Sequence, residues 1–355
     1  MKKCHSCLSD ISSNLYCTKC LKKLFNNKNV KPLTFDKTEF YKKRTQLAEK
    51  MSISGVQDKI SLTFNGTSLE ATATDGRYIL KPIPAEEKLE NKQDICANEH
   101  LSMQLSEQIF KIETAPNALI PFSNGELAYI TKRFDYARNG TKLDQEDFAS
   151  VLEFTSEKQG KNYKYDSSYE DCANAIKTYI NPPIFSLEDF FKRIIFNYLI
   201  GNADAHLKNF SLYIKEGRKD YSLSPNYDLL YTTYHVPQDG YMGLELFNDY
   251  QSATSVATGY PTLEDFEQFA LFLDIKPIRL KKIFELFLPK TAEVINMIEK
   301  SFLSDKGKKA YAKVYLERLK LHICYSSDKY PFDKVTQDII DKYLPSIDKF
   351  YSKYQ

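Results

Sequence analysis

The sequence predicts an α+β protein of two lobes, a small and mainly β first lobe followed by a larger helical lobe. Short runs of β-forming residues separated by turn signals begin after residue 52, whereas apolar residues recur at helical spacing over most of the chain beyond residue 140. With 355 residues, 42% of them hydrophobic, the chain can bury a core in each lobe. We expect a cysteine knuckle at 1–25, a connector at 26–50, the first lobe at 51–135 and the helical lobe at 136–355.

Hydrophobic periodicity places the elements of each lobe. In the first lobe, strands are expected at residues 60–64, 78–80, 119–121 and 127–133, and a helix at 94–110. A connector helix is expected at 37–49. In the second lobe, amphipathic helices are expected at 146–154, 186–201, 262–273, 277–288, 290–303, 307–326 and 334–353. A hairpin around Gly217, at 210–223, lies early in this helical series.

Charge and hydropathy exclude several classes of protein. The 49 basic and 47 acidic residues give a net charge of +2, which argues against nucleic-acid binding over the whole surface. Residues 1–44 carry an excess of lysine and arginine, which fits either a solvated surface or a local basic face. Because the chain has no run of 18 apolar residues and no apolar secretory segment at its start, we expect a cytoplasmic protein that does not enter a membrane.

Four of the seven cysteines form two Cys-x-x-Cys pairs near the amino terminus, namely Cys4, Cys7, Cys17 and Cys20. Four thiolates are the tetrahedral ligand set that Zn²⁺ prefers, and so short a segment has little core of its own. The pattern therefore predicts a structural zinc knuckle. A redox or incidental role is the alternative, and His5 is a fifth possible ligand.

The most informative stretch for chemistry lies between an apolar helix and the hairpin. Phosphoryl transfer needs a carboxylate that accepts the proton of the attacking hydroxyl, and a nearby amide oxygen for a magnesium ion. Asp204 and Asn209 stand five positions apart, as the equivalent pair does in the protein-kinase catalytic loop. We expect His206 to brace this loop and Lys208 to neutralise the phosphoryl charge. Taken alone, the pattern also fits a helix-to-strand turn capped by Asn and Asp.

A second carboxylate follows the hairpin. Asp228, about two dozen residues after Asp204, lies where a metal-bridging carboxylate is required. Lys81 follows a strand and is expected to pair with the nucleotide phosphates, while Glu99 on the next helix is expected to hold that lysine. A surface salt bridge of little energetic value is the alternative for this pair. The base, amide, hairpin and second carboxylate, in this order, predict a site for ATP and Mg²⁺.

The segment before the first predicted strand is a possible phosphate cover. It contains Ser52, Ser54, Gly55, Gln57 and Lys59. The glycine permits close backbone approach, and serine and glutamine side chains can donate to phosphate oxygens. With a single glycine, it is no standard glycine-rich loop.

These motifs together resemble those of the HipA family of serine/threonine kinases. The matching segments are Ser52–Lys59, Ile79–Lys81, Asn98-Glu99, Lys132–Asp135, Asp144–Phe148, Gly201–Phe210 and Tyr227-Asp228, within roughly residues 50–235. The resemblance implies a two-lobed protein-kinase fold with Asp204 as catalytic base and with Asn209 and Asp228 as magnesium ligands. Tyr227-Asp228-Leu229 departs from the Asp-Phe-Gly of ordinary protein kinases, so their activation-loop switching is not expected here.

Members of this family are the kinase toxins of bacterial toxin–antitoxin pairs. The resemblance implies phosphorylation of an aminoacyl-tRNA synthetase, which halts translation, and silencing by autophosphorylation at Ser52, with Ser54 as a second candidate. It implies a helix-turn-helix antitoxin as partner, with DNA contacted only through that antitoxin. Only about 50 residues precede the loop, as in the short form whose amino-terminal subdomain is a separate small protein. The cysteine knuckle is foreign to the best-known members.

Two other functions stay open. One is an inactive kinase fold that serves as a binding protein or corepressor in the antitoxin–DNA complex, although every catalytic group is present. The other is a small-molecule phosphotransferase, which uses the same base and metal ligands but is disfavoured by the family motifs.

Overall fold

A computed structural model, which describes residues 2–48, 58–66, 68–320 and 334–343, confirms the α+β architecture. Its strands are β1 (Lys2–Lys3), β2 (Asp10–Ile11), β3 (Ile60–Phe64), β4 (Leu69–Ala71), β5 (Tyr78–Lys81), β6 (Asn117–Pro121), β7 (Leu127–Lys132), β8 (Gln145–Asp147), β9 (Ser211–Ile214) and β10 (Tyr221–Leu223). The first lobe is built on an antiparallel sheet in the order β4-β3-β5-β7-β6. The four strands expected in this lobe are all present in this sheet, and β4 was not expected.

The amino-terminal segment packs on one face of this sheet. It contains α1 (Thr18–Phe25) and α2 (Lys37–Ala48), the second of which was expected. Its apolar residues share one core with the strands, formed by Tyr16, Leu24, Phe25, Leu33 and Phe40 together with Leu62, Leu80, Ala118 and Ile130. The sheet thus supplies the core that the short segment cannot form alone.

The opposite face of the sheet carries the helix expected at 94–110. It consists of α3 (Ile95–Gln104) and a π-helical turn at Leu105–Ile109. Every residue of α3 is buried, because the helix lies between the sheet and the helical lobe. The Ser102 hydroxyl, for example, lies 2.8 Å from the phenol oxygen of Tyr311 in the second lobe.

The helical lobe is built around α7, a helix that is buried on most of its surface. The helices are α4 (Phe148–Val151), α5 (Ser156–Gln159), α6 (Tyr169–Tyr179), α7 (Ile184–Leu199), α8 (Ala253–Thr258), α9 (Leu263–Phe272), α10 (Pro277–Phe287), α11 (Thr291–Lys300), α12 (Asp305–Arg318) and α13 (Lys334–Tyr343). Eleven of the 16 residues of α7 are buried, which makes it the central helix of the lobe. Its carboxyl end leads directly into the segment around Asp204. Among the described residues, no helix is long and apolar enough to cross a membrane.

The prediction of a helix at 146–154 is wrong for the first residues of this range. Residues Gln145–Asp147 form strand β8, which pairs with β9 of the expected hairpin. Asp147 then caps a single helical turn, its carboxylate accepting a 3.0 Å hydrogen bond from the backbone N–H of Ser150. Pairing with a strand more than 60 residues away is a tertiary effect that local periodicity does not reveal. The last two expected helices are present as α12 and α13, and their remaining residues, 321–326 and 344–353, lie outside the described ranges.

Candidate active site

Lys81 is buried between two carboxylates from the two lobes. Its ammonium group lies 2.7 Å from Glu99 on α3 and is also hydrogen-bonded to Asp228, which follows the β9–β10 hairpin. The side chains of Lys81 and Glu99 are 7% and 3% exposed, and that of Asp228 is 40% exposed at the cleft. The alternative of a surface salt bridge therefore does not apply to this pair.

Burial and charge act in opposite directions on this cluster. Burial lowers the pKa of Lys81, but the charges of Asp228 and Glu99 raise it further, so its pKa lies above the ordinary value. Burial raises the pKa of Glu99 to about 7, although Lys81 opposes the shift. For Asp228, the charges of Lys81 and Lys59 outweigh burial and hold the pKa below its ordinary value. Asp228 is thus ionised and able to bind a cation.

The segment after Asp228 is fixed to α3 by Asn98, the neighbour of Glu99. The Asn98 amide donates to the carbonyl of Tyr231 at 3.0 Å, and its oxygen accepts from the Tyr231 N–H at 2.9 Å. The Asn98 amide nitrogen also lies 2.9 Å from Nε2 of His235. This fully buried side chain joins the two lobes beside the cluster, a role that the sequence did not reveal.

The loop that contains Asp204 turns this residue toward solvent, and its side chain is 45% exposed. On its buried side, the loop is held by Thr232, whose hydroxyl accepts a 2.8 Å hydrogen bond from the Ala203 N–H. The Asn209 side chain holds the backbone of the loop, because its Oδ1 accepts a 3.0 Å hydrogen bond from the backbone N–H of His206. The expected bracing role of the His206 side chain stays a prediction. Burial lowers the pKa of His206 to about 4, although the charge of Asp204 opposes this shift.

Two residues outside the sequence motif meet at Asp204. The phenol of Tyr165 donates a hydrogen bond to its carboxylate, and the Lys164 ammonium lies 4.0 Å from the same oxygen. The Lys164 Nζ is 2.7 Å from Nε2 of His206. Both residues belong to the turn Tyr163–Tyr165, about 40 positions before the loop, so no local sequence motif connects them with Asp204.

Lys208 forms an ion pair within the helical lobe. Its ammonium group is bound to Asp147 on β8, at 2.6 Å. Burial lowers the pKa of Lys208, but Asp147 raises it further, so the pKa lies above its ordinary value. Lys208, which the sequence analysis expected to neutralise the phosphoryl charge, thus already has a carboxylate partner.

The expected phosphate-cover segment is described only at its end. Ser52, Ser54, Gly55 and Gln57 lie outside the described residues. Lys59 is partly buried, and its pKa lies below the ordinary value because of burial, with the Asp228 carboxylate opposing the shift. Lys59 therefore lies within electrostatic reach of the Lys81 cluster.

The four amino-terminal cysteines come together as expected. Cys4, Cys7, Cys17 and Cys20 place their sulfur atoms within 4.8 Å of one another, and the Cys7 and Cys17 sulfurs are 3.7 Å apart. A tetrahedral Zn²⁺ with bonds of ~2.3 Å separates its sulfur ligands by about 3.8 Å, so this donor set fits zinc. The N–H of Cys17 also points at the Cys4 sulfur, at 3.3 Å, an interaction that stabilises a thiolate.

The knuckle is attached to the helix that carries Glu99. The carbonyl of Ser6 lies 2.7 Å from Nε2 of the fully buried His100, and the carbonyl of Cys7 accepts from the Gln108 amide at 3.2 Å. The His5 carbonyl accepts from the Leu119 N–H of β6 at 2.8 Å. The cysteine cluster thus holds α3 and the edge of the sheet together.

Comparisons with known proteins agree with this architecture. Residues 51–298 match the family described as the HipA-like C-terminal domain. A Haemophilus influenzae protein, named as a kinase on a provisional basis, is 27% identical over 323 residues, 86% of this chain and 92% of the relative. The Shewanella oneidensis serine/threonine-protein kinase toxin HipA is 24% identical over 200 residues, 51% of this chain and 43% of the relative.

A solved structure supports the fold independently. A chain from the complex of Shewanella oneidensis HipA, HipB and its operator DNA aligns with a TM-score of 0.58 and 18% identity, over 82% of this chain and 67% of that chain. The family match covers more than half of the sequence. The chain therefore belongs to the HipA-like C-terminal domain family and has its two-lobed, kinase-like α+β fold.

Proposed function

We propose that this chain is a cytoplasmic serine/threonine protein kinase that uses Mg-ATP and acts as the toxin of a bacterial toxin–antitoxin system. The observation that carries the proposal is the burial of Lys81 between Glu99 of the first lobe and Asp228 of the second. An ammonium has three N–H donors, of which two point at these carboxylates and one is left for a phosphate oxygen. Family membership and the kinase names of the relatives support the same function.

Each residue of the site has a role in this proposal. Lys81 would contact the α- and β-phosphates, oriented by Glu99, while Asn209 and Asp228 would hold Mg²⁺. Magnesium, when bound, neutralises charge on the β- and γ-phosphates. Asp204 would orient the acceptor hydroxyl and accept its proton. The exposure of Asp204 supports this role, because a macromolecular acceptor must reach it.

The substrate and partners follow from the resemblance to the HipA family. We assign an aminoacyl-tRNA synthetase as acceptor, with Ser52 or Ser54 as the site of silencing autophosphorylation. A helix-turn-helix antitoxin is the proposed partner, together with a separate small protein in place of the amino-terminal subdomain, and DNA is contacted only through the antitoxin. The name of the Shewanella oneidensis relative, a kinase toxin, supports the toxin assignment.

The cysteine cluster is proposed to hold a structural zinc ion. Its four sulfurs have the spacing of a tetrahedral site, and the described part of the knuckle contacts the sheet and α3 rather than the catalytic cleft. Its proposed effect on activity is therefore indirect, through the position of Glu99.

The experiment incubates the purified full chain with Mg-ATP and with a set of purified bacterial aminoacyl-tRNA synthetases, and maps phosphate by peptide mass spectrometry. We expect phosphate on Ser52 or Ser54 and on a serine or threonine of one synthetase, and none with an Asp204→Asn variant. A folded parent that binds ATP but transfers no phosphate to any protein would contradict the proposal. That result would favour a corepressor with an inactive kinase fold. Transfer to a small molecule alone would indicate a phosphotransferase.

A further inference from the structure

We infer that Lys164 is a catalytic residue of this site, the cation that contacts the phosphoryl group during its transfer. The inference rests on the proposed kinase function and assigns to Lys164 the role that the sequence alone suggested for Lys208.

Lys164 lies outside the catalytic loop but presents its charge to that loop. Its Nζ is 2.7 Å from Nε2 of His206 and 4.0 Å from a carboxylate oxygen of Asp204. The side chain is 20% exposed, so the ammonium lies at the mouth of the site rather than in bulk solvent. A charge in such a position is weakly screened by water.

His206 positions this ammonium group without neutralising it. An ammonium group only donates hydrogen bonds, so Nε2 of His206 must accept and the imidazole is neutral in this arrangement. Asp204, at 4.0 Å, is within ion-pair range but too distant for a hydrogen bond. Lys164 therefore keeps N–H donors for an anionic oxygen that enters beside the base.

Two of the neighbouring lysines already form ion pairs. Lys208 is bound to Asp147 at 2.6 Å, and Lys81 is held by Glu99 and Asp228. Moving either ammonium onto the transferred phosphoryl group would break an existing ion pair. In the part of the chain that the structure describes, Lys164 has no carboxylate partner closer than 4.0 Å.

The turn that carries Lys164 is attached to the catalytic loop by two tyrosines that follow it in the chain. Its neighbour Tyr165 donates a hydrogen bond to Asp204 and packs edge-on against the His206 ring, with centroids 5.1 Å apart. At the start of α6, the phenol of Tyr169 donates to the Ala205 carbonyl at 2.8 Å. This attachment holds Lys164 in place before substrate binds, as electrostatic preorganisation requires.

The transfer step can be written with every bond and proton accounted for. The acceptor oxygen forms a bond to the γ-phosphorus, the bond from that phosphorus to the ADP oxygen breaks, and the acceptor proton passes to Asp204. Negative charge is spread over the three peripheral phosphoryl oxygens during transfer. Lys164 stabilises that charge and keeps its own protons throughout. Removal of one such preorganised group costs about 10²–10³-fold in rate.

The test compares Lys164→Met, Lys164→Arg and the matched control Lys161→Met, an exposed lysine three positions earlier. Phosphate transfer from γ-labelled Mg-ATP to the full chain is measured at saturating ATP, together with the KM for ATP and the melting temperature. We expect Lys164→Met to lower the maximal rate about 100-fold or more, with the KM for ATP changed less than about threefold. Lys164→Arg should retain at least about a tenth of the parent rate, and Lys161→Met should match the parent.

Three results would overturn the inference. A Lys164→Met variant that retains more than about a third of the parent rate shows that the charge is not used. Equal rate loss in the Met and Arg variants, in proportion to a lower melting temperature, shows a structural role only. A folded parent that transfers no phosphate would contradict both the proposed function and this inference. An active parent together with an active Lys164→Met variant would contradict the inference alone.

Discussion

The phenol of Tyr227 donates a 2.9 Å hydrogen bond to the backbone carbonyl of Lys208. Tyr227 immediately precedes Asp228, and Lys208 immediately precedes Asn209, so this bond joins the two segments that carry the proposed magnesium ligands. Asp228 itself has a φ of 55°, in the left-handed region that Asp tolerates better than most residues. This hydrogen bond therefore helps to fix the relative position of the two proposed ligands.

Tyr227→Phe should weaken the response to magnesium. The change removes the hydroxyl and leaves the Lys208 carbonyl without this donor, at a cost of about 1–3 kcal/mol of stability. We expect the Mg²⁺ concentration for half-maximal phosphate transfer to rise several-fold, measured at fixed ATP. Tyr221→Phe, on β10 of the same hairpin, is the control and should behave as the parent. An unchanged Mg²⁺ dependence in Tyr227→Phe would show that the bond does not position the ligands.

Gly243→Ala should distort the loop around Asp204. A Cβ at Gly243 would lie 2.5 Å from the backbone nitrogen of Ala205, which adjoins Asp204 and has no flexible side-chain atom to give way. We expect a stability loss of about 1–3 kcal/mol and a drop of at least about tenfold in phosphate transfer. Gly240→Ala, where the nearest atom to a Cβ would be 3.9 Å away, is the matched control for both measurements. Equal activity in the two variants would be inconsistent with this close contact.

Loss of the knuckle metal should destabilise the first lobe. Cys17→Ala removes one of the four proposed zinc ligands, while Cys172→Ala removes a buried thiol outside the cluster. We expect the parent and Cys172→Ala to contain one zinc per chain by elemental analysis. Cys17→Ala should contain little zinc and melt roughly 5–10 °C lower, because metal binding contributes to folding. Zinc-free parent protein with the melting temperature of the zinc-loaded form would contradict a structural role.

His100 should make the protein sensitive to acid. Burial lowers its pKa to about 4 from an ordinary value of 6.5, so between these values the unfolded chain binds a proton that the folded chain does not. This contribution to stability is complete above pH 6.5 and is lost as the pH falls toward 4. Its upper limit is about 3 kcal/mol.

The measurement is the free energy of unfolding by urea between pH 4.5 and 8. In His100→Gln, the amide can still donate to the Ser6 carbonyl but does not titrate in this range. The stability of the parent should therefore fall more steeply with acid than that of the variant. The other histidines and the cysteines are the same in both proteins, so their contribution to the pH dependence of stability cancels when the two curves are subtracted. Parallel curves would show that His100 does not titrate as its burial requires.

Local patterns were sufficient for most of the fold. Strands β3, β5, β6 and β7 and helices α3, α7, α9, α10 and α11 lie at the expected positions, because alternation and helical spacing reflect which face is buried. Strand β8 was missed, since its partner is a distant hairpin. The residues of the Lys81 cluster could be named from the sequence because each stands at a recognisable place in the order of elements. Lys81 ends a strand, Glu99 lies on the next helix, and Asp228 follows the hairpin.

Side chains that act across long sequence separations were not identifiable. Lys164 and Tyr165 meet Asp204 because the turn Tyr163–Tyr165 packs against the loop around Asp204. Lys208 turns toward Asp147 because β8 lies beside it. Asn98 stood in a recognised motif, but its clamp on Tyr231 depends on how the lobes meet. Such contacts follow from tertiary packing, which one sequence does not specify locally.

The most direct test of the central claim is the initial rate of phosphate transfer from γ-labelled Mg-ATP by the parent, by Asp204→Asn and by Asp220→Asn. Asp220 is an exposed carboxylate on the hairpin turn and serves as the matched control. If Asp204 is the base of a kinase site, Asp204→Asn should lower the rate by about 10²–10⁴-fold, and Asp220→Asn should match the parent. Equal rates in the parent and in Asp204→Asn would contradict the account, as would a folded, ATP-binding parent that transfers no phosphate.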